Sequence, residues 1–189
     1  MEVKLIDLPR AVCIRVSNKN HSSTKKHMET SVDERPDPIN GRSEFSHWKI
    51  DSVLGKMTVG EPSIMTSVER QTRYALAMCL DGKKAEYVNQ TVLKLKDQHP
   101  ILSITADNGS EFSRLSEIEG VDIYFAHAYS SHERGTNENL NGLLREFISE
   151  GQSLKRITPE YLEVVTNAIN ERPRRMKTTI NLFEIAQIG

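Results

Sequence analysis

Between His47 and Phe125 the chain changes texture once, and that change constrains the fold more than any other feature. Three short runs come first, His47 to Leu54, Ser63 to Val68 and Tyr74 to Leu80, with the polar stretch Glu69 to Arg73 joining the last two. Connections this short suit antiparallel neighbours. Along His47 to Leu54 the side chains alternate, with Trp48, Ile50 and Ser52 on one face and Lys49, Asp51 and Val53 on the other. Ala85, Val88, Val92 and Leu95 then recur at helical spacing up to His99-Pro100, where the proline ends the pattern. Two further apolar runs, Ile101 to Ala106 and Val121 to Phe125, are separated by Glu111 to Glu117, which reads as a short helix. Strands separated by helices call for parallel crossovers. The order β-β-β-α-β-α-β-α predicts an α/β fold with a mixed five-stranded sheet, three antiparallel strands then two parallel, and helices on both faces.

Further along, Arg134 to Asn139 opens an amphipathic helix, placed from Thr136, with Leu140, Leu143, Leu144, Phe147 and Ile148 on one stripe. Glu138, Asn141, Gly142 and Arg145 fall on its opposite face, and Asn137 is placed as a capping residue. Thr158-Pro159-Glu160 is an N-cap with proline at the first helical position, and Leu162, Val165 and Ile169 carry that helix to Arg172-Pro173. Asn181 to Ile188 form a weak amphipathic tail. At the other end, residues 1–43 lose apolar periodicity after Val16 and become rich in Ser, Asn, Lys and His. Such a composition does not offset the entropy of ordering a chain, so 1–43 is expected to be a basic, poorly ordered arm or linker and 44–189 the folded domain.

With 25 Lys and Arg against 26 Asp and Glu, the net charge of -1 gives no whole-protein field, so any polyanion site must be local. Cys13 and Cys79 lack metal-ligand spacing and read as reduced thiols. No signal-like apolar region opens the chain and no run is long enough to span a bilayer, so the expectation is cytoplasmic, with no membrane partner.

Three carboxylates stand at the ends or edges of these elements: Asp51 within a strand, Asp107 at a strand end before Asn108-Gly109, and Glu138 at the start of a helix. Were the two strands adjacent, Asp51 and Asp107 would face each other across one strand spacing, roughly 5 Å. Carboxylates fixed on a rigid scaffold are what two-metal phosphoryl transfer requires. Taken singly, an Asp-Asn-Gly is a common turn, and a Glu in a first helical turn offsets the helix dipole. Paired acids also serve glycoside hydrolysis, but aromatics at 6% are scarce for a sugar platform. His47, His99, His127 and His132 are scattered rather than set at ligand spacing.

The runs SVDERPDPINGRSEFSHWKIDSVLGK, VERQTRYA, ITADNGSEFS, YFAHAYSSHERGTNENLNGLLREF and NERPRR, from about Ser31 to Arg175, resemble the catalytic domain of the insertion sequence thirty family of DDE transposases. The resemblance implies a ribonuclease-H-like fold with Asp51, Asp107 and Glu138 as the acidic triad, both catalytic groups and metal ligands. It implies two Mg²⁺ ions, replaceable by Mn²⁺, and hydrolysis at transposon ends followed by attack of a 3′-hydroxyl on target DNA. Double-stranded DNA and further copies of the chain are the implied partners. Candidate DNA contacts are Arg134, Asn139, Arg145, Arg172, Arg174 and Arg175. Departures from the family pattern include Lys49, Ala128, His132 and Met176 to Asn181. The interval from Asp107 to Glu138 is also about one helical turn short, around Ser116 to Gly120. The family's helix-turn-helix region is expected to be absent before Ser46. The alternative expectation is a truncated, catalytically silent remnant that folds and binds DNA or a full-length transposase.

Overall fold

The computed structural model describes residues 30–56, 58–127 and 131–172, and at 131–136 the helical backbone alone. After a short helix α1 (Asp37–Gly41), strands β1 (His47–Leu54), β2 (Ser63–Glu69) and β3 (Ala75–Leu80) pair antiparallel in succession. Helix α2 (Ala85–Gln98) crosses over to β4 (Ser103–Ala106), and β5 (Asp122–Phe125) follows. Both later strands are parallel to their neighbours, giving the sheet order β3-β2-β1-β4-β5 expected of a mixed sheet. Helices α3 (Ser131–Leu144) and α4 (Pro159–Asn170) complete the chain of elements. Among the described residues, no helix is long and apolar enough to cross a membrane.

Strand alternation decides which side chains meet which helix. Trp48 and Ile50 of β1, Met65, Leu80, Ile104, Ala106, Ile123 and Phe125 pack against Val88, Val92 and Leu95 of α2. On the other face Val53, Ile64, Val68 and Ala75 meet Leu140 and Leu144 of α3, Ile148, and Leu162, Val165 and Ile169 of α4. Full burial of such side chains stabilises by about 1.5–3 kcal/mol each, so both faces of the sheet are held by apolar layers. Thr158 caps α4 as its sequence predicts, its side chain accepting from Tyr161 N at 3.2 Å.

Three segments differ from their sequence patterns. Glu111 to Glu117 is not one helix but two 3-10 turns, Ser110–Phe112 and Leu115–Glu117. Phe112, Leu115 and Ile118 are all buried, one at the end of the first turn, one at the start of the second and one just beyond it, so each short turn is anchored to the core. Helix α3 begins at Ser131, ahead of Thr136, and closes at Leu144. Glu138 and Asn137 therefore lie in its interior rather than in a first turn, and Asn137 caps nothing. Lastly, residues 30–43 lie against the sheet, although their composition groups them with the arm. Ser31 and Glu34 form a capping box, Val32 and Ile39 are buried, and Arg35 Nη1 donates to Thr105 Oγ1 at 3.2 Å. Arg70, drawn down to about 10 by burial and then by the neighbouring charges of Arg35 and Arg42, donates to Ile39 O. Two apolar anchors, a capping box and hydrogen bonds to the sheet together seat this piece; residues 1–29, like the tail at 181–188, lie outside the described residues.

Candidate active site

Asp51 sits on the α3 side of β1, because Trp48 and Ile50 point to the α2 side and Val53 to the α3 side. The parallel ladder pairs His47 with Ser103, Trp48 with Ile104 and Lys49 with Thr105. Continued by two residues, the same register sets Asp107 opposite Asp51. Ile104 and Ala106 face α2, so alternation turns Asp107 toward the α3 side as well. The two strands are adjacent, and the two carboxylates share one face at the strands' C-terminal edge.

Helix α3 is bolted to this edge by a polar contact. Asn141 Nδ2 donates to Asp51 Oδ2 at 2.8 Å, while Asn141 Oδ1 accepts from the buried Thr66 hydroxyl at 3.0 Å. Thr66 stands opposite Asp51 in the β1–β2 ladder. Because an ionised carboxylate only accepts, Asp51 takes the amide's donor end, which leaves Asn141 Oδ1 to accept from Thr66. Asp51 Oδ1 accepts from Ser52 N at 2.8 Å. These bonds orient the Asp51 carboxylate. Glu138 is exposed and lies three residues before Asn141, about 4.5 Å back along the helix axis. The Asn141 contact therefore sets how far the Glu138 helix stands from Asp51.

The Asp107 turn is held on its other side. Asp107 Oδ1 accepts from Gly109 N at 2.9 Å, and Asn108 Nδ2 donates to Ala126 O at 2.7 Å. A Cβ at Gly109 would lie 2.7 Å from Glu111 Oε2 and 2.9 Å from Asp107 Oδ1, so both side-chain ends gather tightly against this glycine. Glu111 Oε1 in turn accepts from Ser52 Oγ at 2.7 Å. The residue after Asp51 is thus tied to the residue four beyond Asp107.

Among the described residues, no three His, Cys, Asp or Glu side chains are gathered closely enough to hold a metal ion. Asp51 and Asp107 nonetheless supply the oxygen donors that Mg²⁺ takes from a protein, which usually number one or two carboxylates beside water. Glu138, exposed on the helix packed over this face, carries a further carboxylate.

Of the candidate DNA contacts, Asn139 is exposed beside Glu138. Arg145 donates to Leu54 O at 2.8 Å and to Ser149 O at 3.4 Å, bracing the end of β1. Arg172 pairs with Glu146 at 2.9 Å and lies over the Phe147 ring. The Arg134 side chain, Arg174 and Arg175 lie outside the described residues. Periodicity alone put Asn141 on a polar helix face and did not single out Thr66, Ser52 or Glu111. One signal was available, since Asn141 follows Glu138 by three residues, which is helical-neighbour spacing. Asn137 is buried inside α3, with neither amide atom hydrogen-bonded.

The chain is similar to known proteins over nearly its whole length. It is 62% identical over 190 residues to a probable transposase for the insertion-like sequence element IS1161 of Streptococcus salivarius, covering 99% of this chain and 56% of that protein. It is 36% identical to the transposase for IS4351 of Bacteroides fragilis and 36% identical to the transposase InsI for IS30C of Escherichia coli K12. Those alignments cover 76% and 77% of this chain and 45% and 39% of the two proteins, so the chain spans about half the length of these relatives. No protein-family model matches. Among solved structures, the catalytic core domain of BIV integrase superposes with a TM-score of 0.54 at 18% identity, covering 69% of this chain and 87% of that one. With the mixed five-stranded order described above, the fold is ribonuclease-H-like.

Proposed function

We propose, from the premise that this chain is a homologue of the IS30- and IS1161-type transposases, that it is the part of such a protein that cuts and joins DNA. The reading is a polynucleotidyl transferase with Asp51, Asp107 and Glu138 as its catalytic carboxylates. The observation that carries it is the β1–β4 register, which brings Asp51 and Asp107 to one face beneath the helix that bears Glu138. Divalent metal bound there, Mg²⁺ or Mn²⁺ and two ions in the full reading, would supply charge stabilisation for the attacking and leaving oxygens of an in-line displacement. The three carboxylates hold and orient; Asn141 and Thr66 keep Asp51 aimed at that face. Double-stranded DNA is the substrate, as transposon ends and target, with a homo-oligomer assembled on it. Asn139 is the best-placed DNA contact of the described set, because it is exposed next to Glu138. Any role for Arg145 or Arg172 in binding phosphate would compete with their present protein partners.

The test is nicking of supercoiled plasmid DNA by the 189-residue chain in Mn²⁺, with Asp107→Asn as control. Nicking by the chain and none by the variant is the expected result; equal activity in both rejects the reading. A second reading, a silent remnant that folds and binds DNA or a full-length transposase, is favoured by one observation, that no three ligand side chains are gathered among the described residues. A metal site that assembles on binding raises thermal stability with millimolar Mn²⁺ by mass action, whereas the remnant gives no shift.

A further inference from the structure

The ring of contacts around Asp107 contains a carboxylate outside the proposed triad. Glu111 Oε1 accepts from Ser52 Oγ at 2.7 Å, and Glu111 Oε2 lies across Gly109 from Asp107 Oδ1. The two oxygens are 2.7 Å and 2.9 Å from the same point, so they are no more than 5.6 Å apart, the sum of those distances. Ser52 directly follows Asp51, and its side chain leaves β1 on the opposite face. The Ser52–Glu111 bond therefore ties the strand that carries Asp51 to the turn that carries Asp107, from the side of the sheet away from α3. Phe112, fully buried beneath α2, fixes the backbone from which Glu111 extends. The turn that carries Asp107 is thus braced through Gly109 and Glu111.

We propose that Glu111 is a positioning residue for the Asp51–Asp107 pair, acting through Ser52 rather than as a metal ligand. The proposal rests on the function proposed above. A β1 strand and an Asp107 turn free to move apart would present two carboxylates at the wrong separation. Partners that orient ligands in this way typically account for about 10- to 100-fold in metal affinity. Gln at 111 keeps an acceptor for the Ser52 hydroxyl while losing the charge, so it separates positioning from ligation.

The test uses the whole chain with four substitutions, Glu111→Ala, Glu111→Gln, Ser52→Ala and the double variant with Ala at both positions. The first readout is the Mn²⁺ concentration that half-saturates the thermal shift, measured without DNA. Positioning predicts that Glu111→Ala and Ser52→Ala each raise it about 10-fold or more, that the double variant is no worse than either, and that Glu111→Gln stays near wild type. If Ser52→Ala is silent while Glu111→Gln is as damaging as Glu111→Ala, Glu111 is a ligand and the proposal fails. The second readout needs no metal: a double-mutant cycle in urea, in which the Ser52–Glu111 bond should appear as a non-additive change of roughly 10-fold in the unfolding equilibrium constant. Additive effects there overturn the brace even if metal binds. A wild-type chain with no Mn²⁺ response, together with a non-additive cycle, instead overturns the metal reading and leaves the brace as a structural contact, which refutes its positioning role.

Discussion

Replacing Asn141 by Asp puts the largest stress on the site for the smallest change in shape. Asn141 Nδ2 donates to Asp51 Oδ2 at 2.8 Å, and the variant sets a carboxylate oxygen in the donor's place. Two effects add. The bond lost is one to a charged group, worth about 1.5–3 kcal/mol. Two like charges about 4 Å apart at an effective dielectric near 20 repel by about 4 kcal/mol. Uptake of one proton by the pair limits the second effect, and that uptake becomes easier as the pH falls. The repelled pair binds protons more readily folded than unfolded, so the destabilisation is present at neutral pH and is relieved as the pH drops. Asn141→Ala removes the bond without adding charge and serves as the reference. At about pH 7.5 the Asp variant should unfold at least about 2 kcal/mol more easily than the Ala variant, or some 4–8 °C lower for a domain of this size. By about pH 5 the gap should narrow. Thermal unfolding at the two pH values measures it. Equal stability of the two variants at both would show that Asn141 does not face Asp51. Added Mn²⁺ should restore more stability to the Asp variant than to wild type, since an extra carboxylate beside Asp51 strengthens cation binding.

Gly109→Ala should leave folding nearly intact, because the added Cβ meets the ends of the Glu111 and Asp107 side chains rather than backbone. It should weaken the Mn²⁺ thermal shift by displacing those carboxylates, and an unchanged shift would mean that their present placement is not what metal binding depends on. His99 packs its ring at 5.6 Å from Trp48 and 6.3 Å from Tyr74, and burial holds its pKa below the usual imidazole value. With the folded value depressed, the unfolded chain takes up the proton first, so stability is complete above about pH 6.5 and is lost as the pH falls through it. His99→Phe should flatten the stability profile between about pH 7 and pH 5.5, and a profile identical to wild type would remove His99 as its source.

The sheet was legible because its two periodicities are clean. Alternation along His47 to Leu54 set Asp51 opposite Trp48, and the change from short connections to helical crossovers implied where antiparallel pairing gives way to parallel. Neither pattern carries information about which side chains meet across elements. Asn141 was visible only as a polar helix residue, and its partner Asp51 lies 90 positions away; Ser52 and Glu111 are 59 apart. Such contacts depend on register between strands and on helix rotation, which local pattern does not encode. The start of α3 escaped for a related reason. Its first turn, Ser-His-Glu-Arg, has no apolar residue to mark a buried face, so periodicity became readable only near Leu140.

The short interval between Asp107 and Glu138 looks costly if the segment between them is an α-helix. Deleting three residues from 3.6-residue turns rotates everything downstream by about 60° and would turn the entry to β5 off the sheet. The segment is instead two 3-10 turns, with Phe112, Leu115 and Ile118 buried at a spacing of three. In that geometry three residues make one whole turn of about 6 Å. The strand that follows agrees: β5 pairs with β4 from Ser103–Asp122 through Ala106–Phe125 without a slip, and Ala126 N donates to Ala106 O at 2.8 Å. Whatever the length of the interval, β5 enters in register with β4, and the β1–β4 register that sets Asp107 opposite Asp51 is formed by strands that lie before it in the chain.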